Sequence, residues 1–203
     1  MSGALPKTDF TAINIKSNQR TLVSETDSGK TFRRQVQGQR WSFTIKYPSM
    51  TRADFAPTMA FMIKQRSQKE NFTIIPPELE DARGVETGTL AVNGSHTAGD
   101  TTIAIDGFAG DTANRLRQGD FIKFNGHTKI YMVVADVTSS SGAATVTIEP
   151  PLISTLANDE AVTYDNIPFT VHLINDIQEF GVVGASNGGE LLYEFQLDVE
   201  EAL

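Results

Sequence analysis

Apolar and polar side chains alternate from Trp41 to Tyr47. Trp41, Phe43, Ile45 and Tyr47 point one way and Ser42, Thr44 and Lys46 the other, which is the period-two signature of a half-buried strand. Pro48 ends it. The same alternation runs from Leu191 to Glu200, with Leu191, Tyr193, Phe195, Leu197 and Val199 on one face and Glu194, Gln196, Asp198 and Glu200 on the other. It predicts one continuous strand with a wet face. Phe169, Val171 and Leu173 predict a third such strand, and Phe10, Ile13 and Ile15, then Leu22 and Val23, predict weaker strands near the start.

Between Ser49 and Gln68 the period changes. Phe55, Met59, Met62 and Ile63 are spaced for one helical face, and this is the one helix the chain predicts. Thr51 and Asp54 are both candidate caps. Asp54 is the expected one, because it puts Pro57 at the third helical position, where a missing N–H costs little. Met59 and Met62 are expected in the core against the sheet rather than on an adaptable binding surface.

From about Gly84 to Thr163 the texture shifts to short strands broken closely by Gly, Asp, Asn and Ser, which predicts a small barrel or sandwich. Its centre is Phe121 to Phe124, then Asn125-Gly126, then Lys129 to Val134. Asn-Gly is the pair favoured in a tight hairpin, because both residues tolerate positive φ. Thr101 to Ile105 and Ala144 to Ile148 supply further strands, Ser139-Ser140-Ser141-Gly142 a loop, and Pro150-Pro151 an extended exit. The expected fold is mainly β: a β-sandwich-like domain with one helix, residues 1–83 and 164–203, split by an inserted small β-barrel, residues 84–163.

Composition narrows the chemistry. The chain has 203 residues and no cysteine, so disulfides, thiolate metal sites and cysteine nucleophiles are all excluded. The net charge of −8 opposes non-specific nucleic-acid binding, which needs a cationic face. No apolar run approaches the roughly 20 residues that span a bilayer. The start, Met1 to Thr8, lacks a basic and then apolar leader, which predicts synthesis in the cytosol without secretion. Asn71-Phe72-Thr73 and Asn93-Gly94-Ser95 match the glycosylation acceptor pattern, and in a chain read as unsecreted they are expected to be chance matches.

Candidate catalytic patterns are few. Gly184-Ala185-Ser186-Asn187-Gly188 has the form of a hydrolase nucleophile elbow, but an alternating strand rather than a helix is expected to follow it, and no histidine comes after Ser186. A hairpin loop is the expected structure. His96, His127 and His172 lie far apart and form no HExxH-type zinc cluster; all three are expected on exposed strands or turns. The pairs Gly99-Asp100, Gly110-Asp111 and Gly119-Asp120 lack the alternating ligands and closing Glu of a calcium loop, so they are expected to be turns at strand entrances. Paired carboxylates of glycosidase type are not recognisable before folding, and acidic residues on polar strand faces are by default solvated. Walker-type and dinucleotide fingerprints are absent. No catalytic, cofactor-binding or metal-ligating residue is assigned, and no enzyme activity is expected.

The run Arg40-Trp41-Ser42-Phe43-Thr44-Ile45-Lys46-Tyr47-Pro48-Ser49-Met50-Thr51-Arg52-Ala53-Asp54-Phe55-Ala56-Pro57, followed by Ala60-Phe61 and Phe72-Thr73-Ile74, resembles minor tail proteins of tailed bacteriophages, where a tryptophan-bearing strand, one helix and a return strand recur. Leu116 to Val134, with Gly119-Asp120, Asn125-Gly126 and Tyr131, is similar to small barrels inserted in such proteins. The family resembled is that of the distal tail protein and related baseplate hub components. The resemblance implies a ring domain with the barrel projecting from it, usually six copies to a ring. Implied partners are further copies of the chain, a tail tube protein, and baseplate hub or tail fibre proteins. The implied location is the virion. An acidic lumen in such a ring would repel passing DNA rather than trap it. A second expectation, from another class, is a carbohydrate-binding module presenting Tyr131, Trp41 or Tyr164 to host sugars.

Overall fold

A computed structural model describes residues 3–6, 9–186 and 188–203. Among the described residues the protein is mainly β with one α-helix, and the chain forms two compact units, Met1–Ile74 with Thr170–Leu203, and Ile75–Phe169. The second unit takes in residues 75–83 and 164–169, which the sequence assigned to the flanking domain. Hydrogen bonds explain the difference: Ala82 N–H donates to Tyr164 O at 3.1 Å, Arg83 N–H to Asp120 Oδ1 at 3.1 Å, and Ile167 N–H to Glu80 O at 3.1 Å.

The first unit is built on a five-stranded sheet. Strands β1 (Ala12–Asn18), β4 (Arg40–Lys46), β16 (Gln196–Glu201), β13 (Phe169–Leu173) and β6 (Phe72–Ile74) lie in that spatial order. The two ends of the chain's first unit therefore meet in one sheet, with β4 antiparallel to both β1 and β16. Its apolar ladder crosses from Ile15 through Phe43 and Val199 to Leu173, with Ile13, Ile45 and Leu197 forming the next rung. Phe43, Ile45, Leu173, Leu197 and Val199 are all buried, each contributing about 1.5–3 kcal/mol relative to exposure.

The opposite face of the sheet is a polar network. Thr44 donates to Asp198 Oδ1 at 2.7 Å; Asn18 Nδ2 and Ser42 Oγ both donate to Glu200 Oε1, at 3.0 and 3.2 Å; and Arg40 pairs with Glu200 Oε2 at 3.3 Å. Burial disfavours the ionised Glu200, yet these hydrogen bonds outweigh it and hold the carboxyl below its ordinary value.

A second, three-stranded sheet orders β14 (Gly181–Ala185), β15 (Leu191–Glu194) and β5 (Met50–Thr51), and a separate hairpin pairs β2 (Thr21–Glu25) with β3 (Thr31–Gln35). The alternating segment from Leu191 to Val199 is thus two strands in two sheets. Phe195 is the joint, buried against Tyr47, Phe55 and Phe180, so it preserves the apolar rhythm while the backbone changes partner.

Helix α1 spans Arg52–Lys64. Its cap is Thr51 rather than Asp54: Thr51 Oγ1 accepts from Asp54 N–H at 3.4 Å and donates to Asp54 Oδ2 at 3.0 Å, so the two residues close the first turn together. Pro57 consequently sits inside the helix. The buried face is Phe55, Thr58 and Met62, while Met59 and Ile63 are exposed, contrary to the expected stripe. Phe55 sets this rotation, because its ring meets Tyr193, Phe180 and Phe195 with centroids 5.5–5.9 Å away.

The second unit is a closed barrel of β10 (Ile130–Val133), β11 (Ala143–Glu149), β8 (Thr102–Asp106), β7 (Leu90–Val92), β12 (Ala161–Thr163) and β9 (Phe121–Phe124), in that order. Leu90, Ile103, Ile105, Phe124, Tyr131 and Val146 fill it. Three strands are entered by the same turn. In Thr97-Ala98-Gly99-Asp100 and Arg117-Gln118-Gly119-Asp120 the acidic side chain accepts the first residue's N–H at 2.8 Å; in Ala157-Asn158-Asp159-Glu160 it does so at 3.3 Å. The third residue of each, Gly99, Gly119 or Asp159, has positive φ, which glycine adopts without strain. Two of the Gly-Asp pairs are therefore turn devices. Asp111 differs, its Oδ1 accepting from Gly142 N–H at 2.9 Å across the unit.

The Asn125-Gly126 turn also departs from expectation. Neither residue has positive φ; His127 N–H donates to Phe124 O at 3.0 Å, and Gly126 N–H is taken by Glu160 Oε1 at 2.6 Å. A wider loop, held from outside, replaces the tight hairpin.

Candidate assembly surface

The β2–β3 hairpin leaves the sheet at Asn18, the last residue of β1, and returns at Arg40, the first residue of β4. Its tip is closed by Thr26, whose N–H donates to Lys30 O at 3.0 Å and whose Oγ1 accepts from Lys30 N–H at 3.2 Å. Every residue of both strands is exposed. Leu22, Val23 and Phe32 retain 51%, 63% and 52% of their accessible surface, where strand apolar residues are ordinarily packed. The register puts Leu22 beside Arg34 and Ser24 beside Phe32 on one face, and Val23 beside Arg33 on the other. Both faces are mixed apolar and cationic. Lys30 Nζ lies 5.1 Å from the Phe32 ring centre.

A cleft of about 510 Å³ lies at the other end of the same sheet, where β4 finishes at Lys46 opposite Gln196. Tyr47, Ile177, Glu179, Glu194, Phe195 and Asp198 line it. Burial pushes the Tyr47 phenol well above its ordinary pKa, so it remains a neutral donor there. Lys46 also lines the cleft, against the three carboxylates Glu179, Glu194 and Asp198, so the lining is net acidic; from Leu173 to Leu203 there are seven carboxylate side chains and no Lys or Arg. Beside it, β14 is exposed along its whole length, with Val182 and Val183 open and Ile177 at 84% exposure.

Residues singled out from sequence fall elsewhere. Ser186 ends no strand-to-helix turn. It lies in the connection from β14 to β15, where its Oγ accepts from Glu190 N–H at 3.2 Å and its O accepts from Gly189 N–H at 2.8 Å; Asn187 lies outside the described residues. A hairpin loop is what the structure has there. His127 is buried rather than exposed, with Nδ1 2.9 Å from Tyr131 OH and Nε2 2.8 Å from Ser154 Oγ. His172 is half-buried, and desolvation lowers its pKa despite the opposing Glu200. His96 accepts from Ala104 N–H through Nε2 at 3.2 Å. Among the described residues no three His, Cys, Asp or Glu side chains gather as metal ligands.

Trp41, Tyr131 and Tyr164 are all buried, and Tyr164 OH donates to Gly88 O at 2.7 Å. None presents a ring face to a sugar. Sequence reading missed β3 and β14, whose short, mixed segments carry no apolar period, and it missed the charge segregation that a count of Lys and Arg beyond Leu173 makes visible. No helix among the described residues is long and apolar enough to cross a membrane. Comparison with known proteins finds no matching family model and no matching curated protein.

Proposed function

We propose that this chain is a structural, non-enzymatic subunit of a bacteriophage tail tip or baseplate, assembling with copies of itself into a ring that links the tail tube to hub or receptor-binding components. The carrying observation is the β2–β3 hairpin: a two-stranded ribbon exposed on every residue, with Leu22, Val23 and Phe32 open to solvent. Such a ribbon is marginal in water and gains packing only from something beyond its own chain. The barrel is closed and has no free edge, so edge pairing belongs to the first unit, where β1, β14 and the hairpin are available. The resemblance of Arg40 to Pro57 and of Leu116 to Val134 to tail and baseplate proteins supplies the tail context. The reading places the protein in the virion, with no membrane insertion and no specific nucleic-acid binding.

Immunogold labelling tests it. Particles purified from cells expressing the gene should carry label at the tail tip or baseplate; label confined to the soluble fraction, with unlabelled particles, contradicts the proposal.

A further inference from the structure

We infer that the ring contact is made by the cationic β2–β3 hairpin of one copy seated in the acidic cleft of the next. This rests on the ring reading above and names the surfaces that close it. Residues 20–36 hold four cations, Arg20, Lys30, Arg33 and Arg34, against Glu25 and Asp27, so the hairpin is net positive in a chain of net charge −8. Among the described residues no carboxylate lies within ion-pairing distance of Arg20, Arg33 or Arg34. The cleft offers the complement. Among the described residues Glu194 accepts Ser49 Oγ, at 2.9 Å, and Asp198 accepts Thr44 Oγ1 and Gln196 Nε2; neither is ion-paired within its own chain, and with Glu179 they outnumber Lys46, the cation in the cleft lining. Apolar groups match as well: Leu22, Val23 and Phe32 are open on the hairpin, and Ile177 in the cleft lining and Val182 and Val183 beside it are open on the other surface.

Position decides that the occupant is a second copy. The hairpin springs from the Arg40 end of β4 and the cleft opens at its Lys46 end, six residue steps along the strand, or about 20 Å at roughly 3.3 Å per residue. Two different, complementary patches at opposite ends of one sheet make a head-to-tail contact, and repetition of such a contact closes into a ring when the rotation between copies permits. A self-complementary patch would have stopped at a dimer.

The test is charge reversal in the full chain, read by mass photometry and analytical ultracentrifugation. Arg33→Glu with Arg34→Glu should weaken association at least about tenfold, as should Glu179→Lys with Glu194→Lys, because each sets like charges face to face. Mixing the two variants, or combining all four substitutions in one chain, should restore the wild-type oligomer. Raising salt from 0.1 to 1 M shortens the screening length from about 10 to 3 Å and should dissociate the wild type. An oligomer indifferent to the hairpin reversal overturns the inference while leaving the ring reading intact; a wild-type chain that is monomeric at low salt overturns the ring reading itself. Should Arg33→Ala with Arg34→Ala abolish DNA binding and leave the oligomer unchanged, the cations serve nucleic acid and the inference fails.

Discussion

Replacing Arg115 with Met should destabilise the barrel by about 3–5 kcal/mol, the cost of stranding one member of a buried ion pair. The Glu86 side chain is fully enclosed and that of Arg115 nearly so, with Arg115 Nε 3.6 Å from Glu86 Oε2. Glu86 Oε1 already accepts the N–H groups of Thr87, Gly88 and Ala109, at 3.0, 2.5 and 2.9 Å, tying the entry of β7 to the loop after β8. Among the described residues Oε2 has no hydrogen-bond partner, so Arg115 is its compensation. The substitution also removes Arg115 Nε donating to Gly110 O at 2.7 Å and Nη1 donating to Val85 O at 3.3 Å. In a unit of this size 1 kcal/mol shifts the midpoint by about 4–8 °C, so calorimetry should show a fall of more than about 10 °C. Amide exchange in β8 and β11 should accelerate with it. Adding Glu86→Gln should recover part of the loss by removing the stranded charge. A loss below about 1 kcal/mol for Arg115→Met would refute the assignment of this pair as the barrel's polar anchor.

Tyr131→Phe should cost about 1–3 kcal/mol in urea unfolding, because the hydroxyl meets His127 Nδ1 at 2.9 Å and accepts from Ile153 N–H at 3.2 Å. Thr51→Ala should cost about 1 kcal/mol in the same assay through loss of the helix cap. Acid should act in two stages. His172 is held below its ordinary 6.5 by burial, so the unfolded chain binds its proton first and stability falls as pH drops below about 6.5. Glu200 is held below 4.5, so its contribution is present above that value and is lost as pH falls through the lower folded one. His172→Gln should flatten the upper limb of urea midpoint against pH and leave the lower limb in place.

The central sheet was legible because β4 and β13 each carry their large apolar side chains on one buried face, and a period of two survives in any order of partners. Alternation says nothing of which sheet a strand joins, however, so Leu191 to Val199 passed for one strand although Phe195 hands the chain from β15 to β16. The helix was visible and its face was not. Thr58 and Gln65 are buried, and Gln65 Nε2 donates to Phe61 O at 2.8 Å, so polar residues occupy positions that a hydrophobic stripe assigns to Met59 and Ile63. His127 was unreadable for a related reason, since one of its two partners, Ser154, lies 27 residues away. The candidate surface was the least legible part, because the hairpin shows itself only through what fails to cover Leu22, Val23 and Phe32.

Electron microscopy of the purified full chain at low salt tests the ring directly. Closed rings, six copies in each, are predicted, with mass photometry giving the matching multiple of 22.1 kDa. Single 22.1 kDa particles throughout would contradict the account.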